Sequence, residues 1–246
     1  MAMSLEITTR NEVPATSTYE EIFITWLPTE TKDSIIAKTA ALHRQGFRPV
    51  PHIAAFKVKD TADALALAAA IAPYTRKAFF IRGGGKQEGR FATTGELLAT
   101  GAFKDFEVGV GGFPDGNGSL SYEECIRILR AKAVFANFVV TQWSLNETAM
   151  RRFLDDAPLP VYLGVPNRCS LRQLVRFAAI CGVENSIKGA LSNPVNIARF
   201  MLGFDPGYLV KTFEGHPNLA KFHVYAFGNF APLRVTQIGR APCRER

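Results

Sequence analysis

Residues 107–165 read EVGVGGFPDGNGSLSYEECIRILRAKAVFANFVVTQWSLNETAMRRFLDDAPLPVYLGV, and their rhythm decides the fold. Three β-rich apolar runs, 107–113, 138–143 and 161–165, alternate with two stretches of helical composition, 121–133 and 147–155. Strand, helix, strand, helix, strand is the pattern of parallel strands joined by crossover helices. Working outward, further strands are expected at 5–8, 22–27, 50–56 and 78–82 upstream and at 222–227 downstream, with helices at 31–45, 61–73, 94–100, 170–181 and 194–202. Eight strands, most of them followed by a helix, predict an α/β protein of the (β/α)8 TIM-barrel class. Two places break the rhythm. Residues 10–20 are too short and polar for a full helix, and little after Phe230 would cover the last strand, so the barrel is expected to be trimmed at its first and last helices. No repeat or linker divides the chain. One barrel domain is expected over 1–237, and 238–246, without apolar periodicity, reads as a disordered or non-native tail.

Composition sets the outer limits. The 246 residues are 47% hydrophobic and 21% charged, enough for one sizeable core. No apolar run approaches the roughly 20 residues of a membrane span, and no signal-like segment opens the sequence; a soluble cytoplasmic protein is expected. The net charge is +7, but residues 234–246 hold four arginines and one glutamate; without them 25 basic and 21 acidic residues remain, a net of +4. The remaining cations are dispersed without interleaved aromatics, which argues against a nucleic-acid partner and suits an anionic small ligand. Cys125, Cys169, Cys181 and Cys243 form no paired motif, and His43, His52, His216 and His223 are scattered, so neither a metal nor a disulfide framework is expected. A homo-oligomer stays open.

Barrel enzymes work at the carboxyl ends of their strands. There the sequence places Glu6, Thr25, His52, Arg82 with Gly83–Gly85, Asp115 with Asn117, Gln142, Asn167 with Arg168, and Asn229. Glu6 alternates with Leu5 and Ile7. If it points into the barrel mouth, burial would raise its pKa and make it a proton donor; if not, it is a solvated charge. His52 reads equally as a ligand contact or a satisfied core histidine. Arg82-Gly-Gly-Gly-Lys86 joins a cation to permissive backbone, as phosphate cradles do, without P-loop spacing. The run from Gly109 to Pro114 misses the dinucleotide fingerprint. The Gln142 amide suits a heterocycle, and Lys132 reads as a solvated charge at a helix end.

The ordered segments SLEIT, IFITWLP, PVPHIAAF, FFIRGG, GVGGFPDG, VVTQW, VYLGVPNRCSLRQLVRFAAICGV and FHVYAFGNF resemble the methylenetetrahydrofolate reductase family, in its short bacterial branch, over about residues 4–230. The resemblance implies a (β/α)8 barrel holding FAD, which passes hydride from NADH or NADPH to 5,10-methylenetetrahydrofolate and yields 5-methyltetrahydrofolate. It implies that Glu6 is the folate-protonating acid, that Thr25, His52, Arg82 and Gly83 contact the flavin, and that Gln142 bonds the folate. Phe113 stands at an aromatic position beside the flavin, Asp115 in the loop that follows it, and Lys132 one residue from a flavin-binding lysine. The family's R-G-D is here Arg82-Gly83-Gly84, and its aromatic-P-E-G-H-P is Phe113-Pro-Asp-Gly-Asn117-Gly. Those departures keep two alternatives open: a flavin-free one-carbon enzyme, or a non-catalytic folate-binding paralogue.

Overall fold

The computed structural model describes residues 2–118, 120–181, 183 and 205–233. Eight parallel strands close in sequence order into a barrel: β1 (Met3–Thr8), β2 (Glu21–Thr25), β3 (Arg48–Ala54), β4 (Lys77–Ile81), β5 (Glu107–Gly112), β6 (Phe138–Thr141), β7 (Val161–Pro166) and β8 (Leu219–Tyr225). The chain is a (β/α)8 TIM barrel. Outside it lie α1 (Lys32–Arg44), α2 (Thr61–Ile71), α3 (Thr94–Ala99), α4 (Tyr122–Lys132), α5 (Glu147–Asp156), α6 (Leu171–Cys181) and α7 (Gly207–Phe213). The expected helix 194–202 and the tail 238–246 lie outside the described residues, as does Cys243.

Local chemistry starts these helices where polar caps stand. Thr31, Asp60, Thr93, Ser121 and Asn146 each accept a backbone N–H of the first turn, and Ser121 and Glu124 form a full capping box. No helix forms between β1 and β2, as the sequence predicts. Instead Tyr19 anchors that connection to the chain returning from β8, its hydroxyl accepting the Leu233 N–H at 3.0 Å. Nor do residues 226–233 form one. The sequence misses α7, a short helix in a stretch rich in glycine and proline.

Strand alternation divides the core in two. Leu5, Ile7, Ile22, Ile24, Phe80 and Val224 point outward to the helices, while Phe23, Val50, Phe79, Phe138, Val140 and Tyr162 fill the barrel. Gly109 and Gly112 serve this packing: a Cβ at the first would run into the Phe138 ring and at the second into Phe153, which explains glycines that make no dinucleotide motif. The floor carries charge. Lys77 Nζ reaches Glu21 (3.1 Å), Glu107 (2.9 Å) and the Tyr162 hydroxyl (2.7 Å), and Lys221 reaches Glu21 (2.7 Å). Among the described residues, no helix is long and apolar enough to cross a membrane.

Candidate functional site at the barrel mouth

Above the aromatic layer, the inward positions of β1, β3 and β8 turn polar. Glu6 stands between two imidazoles: its Oε2 is 3.3 Å from His223 Nε2 and 3.5 Å from His52 Nε2. Ser4 Oγ lies 2.9 Å from His223 Nδ1, making a chain Ser4–His223–Glu6 through the interior. An ionised Glu6 only accepts, so His223 Nε2 carries the proton of that bond, and in the neutral ring Nδ1 accepts from Ser4. Thr25 bonds the same carboxylate.

The expectation of a raised Glu6 pKa is corrected by these partners. Burial, the largest influence, does push it up; the bond to His223, the charges of His52 and His223 and the bond to Thr25 together outweigh that, and the carboxyl is held below its usual value. His52 behaves oppositely. Only 3% exposed, it is pulled down to about 4 by burial, against the attraction of Glu6, so it is neutral at pH 7. Among the described residues neither of its ring nitrogens has a hydrogen-bond partner. Buried imidazoles are normally satisfied, and an orphaned pair beside a carboxylate is the mark of a ligand site.

Arg82, just beyond β4, is exposed and stacks 4.8 Å over the Phe56 ring. The loop after it turns through left-handed backbone at Gly83 (φ +95°) and Gly85 (φ +81°), whereas Gly84 rests against Pro28 in a conformation open to other residues. The neighbouring rim is rigid: Glu30 receives the Thr9 hydroxyl and the Leu27 N–H, while Lys57 donates to the Pro28 (2.7 Å) and Glu30 (2.8 Å) carbonyls. Phe113, half-buried, lies near Gly111 and the Phe79 ring, and Asp115 is half-buried in the following loop.

Gln142 completes the opposite side, its Oε1 accepting from Trp143 N (3.1 Å) and its Nε2 donating to the Cys181 carbonyl (3.5 Å). Tyr225 stands half-buried beside it, its hydroxyl donating to the Thr141 carbonyl at 2.9 Å.

Thus Glu6, Thr25, His52, Arg82, Gly83, Phe113, Asp115 and Gln142 all come to the mouth end. Lys132 does not. As the last residue of α4, which runs back from the mouth towards the start of β6, it stands at the far end of the barrel; it is half-buried rather than solvated, and burial lowers its pKa. Asn167 and Asn229 serve the frame: Asn167 Nδ2 donates to the Asn229 (2.6 Å) and Ala231 (3.1 Å) carbonyls, and Asn229 Nδ2 donates to Arg168 O (3.0 Å). Arg168 pairs with Asp205 at 2.5 Å. Sequence reasoning missed Ser4, His223 and Tyr225. The signal was there in the alternation Lys221, His223, Tyr225 against Phe222 and Val224, which puts three polar side chains inside the barrel. Two of the scattered histidines thereby meet, although among the described residues no group of three or more His, Cys, Asp or Glu is arranged to hold a metal.

No family model matches the chain. Among solved structures it resembles a putative chitinase A from Streptomyces coelicolor, with a TM-score of 0.45 and 13% identity over 93% of this chain and 92% of that one. It also resembles an uncharacterized protein from Clostridium thermocellum that binds two copies of 5-methyl-5,6,7,8-tetrahydrofolic acid, with a TM-score of 0.61 and 15% identity over 91% of this chain and 88% of that one. At that identity the likeness shows a shared barrel fold.

Proposed function

We propose that the chain binds a reduced folate at the barrel mouth and acts as a methylenetetrahydrofolate reductase-like enzyme, reducing 5,10-methylenetetrahydrofolate to 5-methyltetrahydrofolate with hydride from NADH or NADPH. The observation that carries this reading is the Glu6 carboxylate, set between His223 and the unpartnered His52 ring. The folate bound by the Clostridium protein supports the ligand class, being the product of this reaction.

The chemistry asks for a proton on the ring nitrogen released as the methylene bridge opens, and for a hydride on the methylene carbon. Glu6 is ionised in the free protein, and its side chain keeps 18% of its surface exposed. A ligand seated over it displaces that remaining water, which raises the carboxyl pKa and lets Glu6 take up and then deliver the proton. His223, oriented by Ser4, holds the carboxylate in place through its Nε2–H. The Gln142 amide holds the heterocycle in register.

A flavin suits the β2–β5 side of the mouth, because His52 offers two buried ring nitrogens without hydrogen-bond partners among the described residues, Arg82 a cation and Gly83 a left-handed turn in the loop beside it. Bound there, FAD would relay hydride from the nicotinamide to the folate. Thr25, Phe113 and Asp115 would border it, and Lys132 stands too far off to take part. The test is direct: incubation with NADH or NADPH and 5,10-methylenetetrahydrofolate should yield 5-methyltetrahydrofolate by chromatography. A protein that binds 5-methyltetrahydrofolate yet makes none would be a folate-binding module instead.

A further inference from the structure

Gln142 is held at both ends, and the grip comes from a helix outside the barrel. Of the two Oε1 lone pairs one takes the Trp143 N–H, and of the two Nε2 hydrogens one goes to the carbonyl of Cys181, the last residue of α6. A donor at one end and an acceptor at the other fix which way the amide faces. Among the described residues one acceptor site and one N–H are left, a pair that matches the adjacent carbonyl and N–H of a lactam edge such as a pterin carries.

Aromatic stacking docks α6 at that spot. Phe177, one turn before Cys181, stacks on Phe227 with ring centroids 4.2 Å apart and planes 11° from parallel. Phe227 in turn meets Trp143 edge-on at 5.4 Å, and the fully buried Trp143 indole N–H has the Cys181 thiol as its neighbour. Phe227 is the one described non-glycine residue with positive φ, at +48°. Such backbone is costly for a bulky side chain and persists where surrounding contacts impose it, commonly at binding sites. The rings that meet it here are Phe177, Trp143 and, at 6.4 Å, Tyr225, the first two of them on the segments that hold Gln142.

We propose that Phe177 is a positioning residue: through its stack on the strained Phe227 it seats the end of α6, and so presets the Gln142 amide to read a lactam edge of the bound heterocycle. This rests on the folate reading above and adds to it the element that sets recognition.

The experiment measures dissociation constants of the full chain for 5-methyltetrahydrofolate and for NADH, with Cys181 alkylation by iodoacetamide followed by peptide mapping. Phe177→Ala should weaken folate binding roughly tenfold, about the worth of one hydrogen bond, while leaving NADH binding within twofold. Cys181 should alkylate faster in that variant, because in the wild type burial raises its thiol to about 11 and keeps it protonated. Phe177→Leu, which refills the volume, should restore most of the folate affinity. Gln142→Glu, which loses the donor, should match or exceed the Phe177→Ala defect. If Phe177→Ala does not fold, the same comparison is made with Trp143→Phe, which keeps a ring against Phe227. Unchanged folate affinity in Phe177→Ala, or in Trp143→Phe where it stands in, or equal loss for folate and NADH, overturns the inference. A wild type that binds no folate overturns the folate reading, and this inference with it; folate binding that ignores Phe177 overturns the inference alone.

Discussion

His52 and Glu6 show how one pocket balances burial and neighbours differently for two titratable groups: the partners of Glu6 outweigh its burial, whereas burial outweighs the attraction of Glu6 for His52. Glu6, half-buried, is held ionised, since it bonds His223 and Thr25; His52, buried and without a hydrogen-bond partner among the described residues, is pulled down because burial outweighs the attraction of Glu6. The consequence for stability has a sign. With a folded pKa of about 4 against an ordinary 6.5, His52 binds its proton more readily in the unfolded chain, so stability should fall as pH drops from 6.5 to 4, by up to about 3 kcal/mol from this residue. Glu6 works in the same sense lower down, its contribution being present above the ordinary carboxylate range and lost as pH falls through its folded value. Urea midpoints at pH 7.5, 6.0 and 5.0 should decline in the wild type. They should flatten in His52→Phe, which keeps a ring between Phe23 and Phe79. An equal slope in the variant would assign the effect elsewhere. Glu6 was legible in the sequence through its alternation with Leu5 and Ile7, but its charge state was not, because that depends on His223, 217 residues away.

At the scale of the element, the β4 loop separates what glycine must do from what it merely does. Gly83 has φ +95° and a Cβ there would meet the Ala54 Cβ at 3.2 Å, so Gly83→Ala should cost roughly 1–2 kcal/mol in chemical denaturation. Gly84 lacks positive φ and a Cβ would sit an ordinary 3.5 Å from Pro28, so Gly84→Asp should fold with stability within about 0.5 kcal/mol of wild type. A large loss at Gly84 and none at Gly83 would reverse this assignment. The elements themselves were largely legible: all eight strands and six helices form where the alternation of apolar runs and helical stretches puts them. The strand ends ran over, since Trp26, Phe56 and Phe227 prolong an apolar run that the backbone has already left for the rim. Lys132 was misjudged for a related reason, because spacing along a helix gives its face but not how deeply neighbouring elements cover its end.

Across the whole molecule, the barrel sets a polar floor and a polar mouth on either side of an aromatic layer. The floor is a framework feature: Glu21 and Lys77 are 7% and 13% exposed in their side chains, and Lys77 also lies 4.5 Å over the Phe138 ring. Removing Lys77 leaves Glu21 with Lys221 alone and takes a partner from the Tyr162 hydroxyl, so Lys77→Met should cost about 1.5–3 kcal/mol, read from denaturant midpoints, with folate affinity unchanged in the protein that remains folded. A loss of folate affinity without a loss of stability would make the floor part of the site. The closed topology was readable because each βα unit repeats one local pattern; the convergence of β1, β3 and β8 on Glu6 was not, because register around a closed barrel is set by packing inside it.

The proton role of Glu6 at a folate site is the central claim, and Glu6→Gln tests it most directly. The amide keeps the shape and loses the proton, so 5-methyltetrahydrofolate should bind within a few-fold of wild type while its formation from 5,10-methylenetetrahydrofolate and NAD(P)H falls roughly 10²-fold or more. Turnover in Glu6→Gln equal to wild type, with folate bound as tightly, would contradict the account.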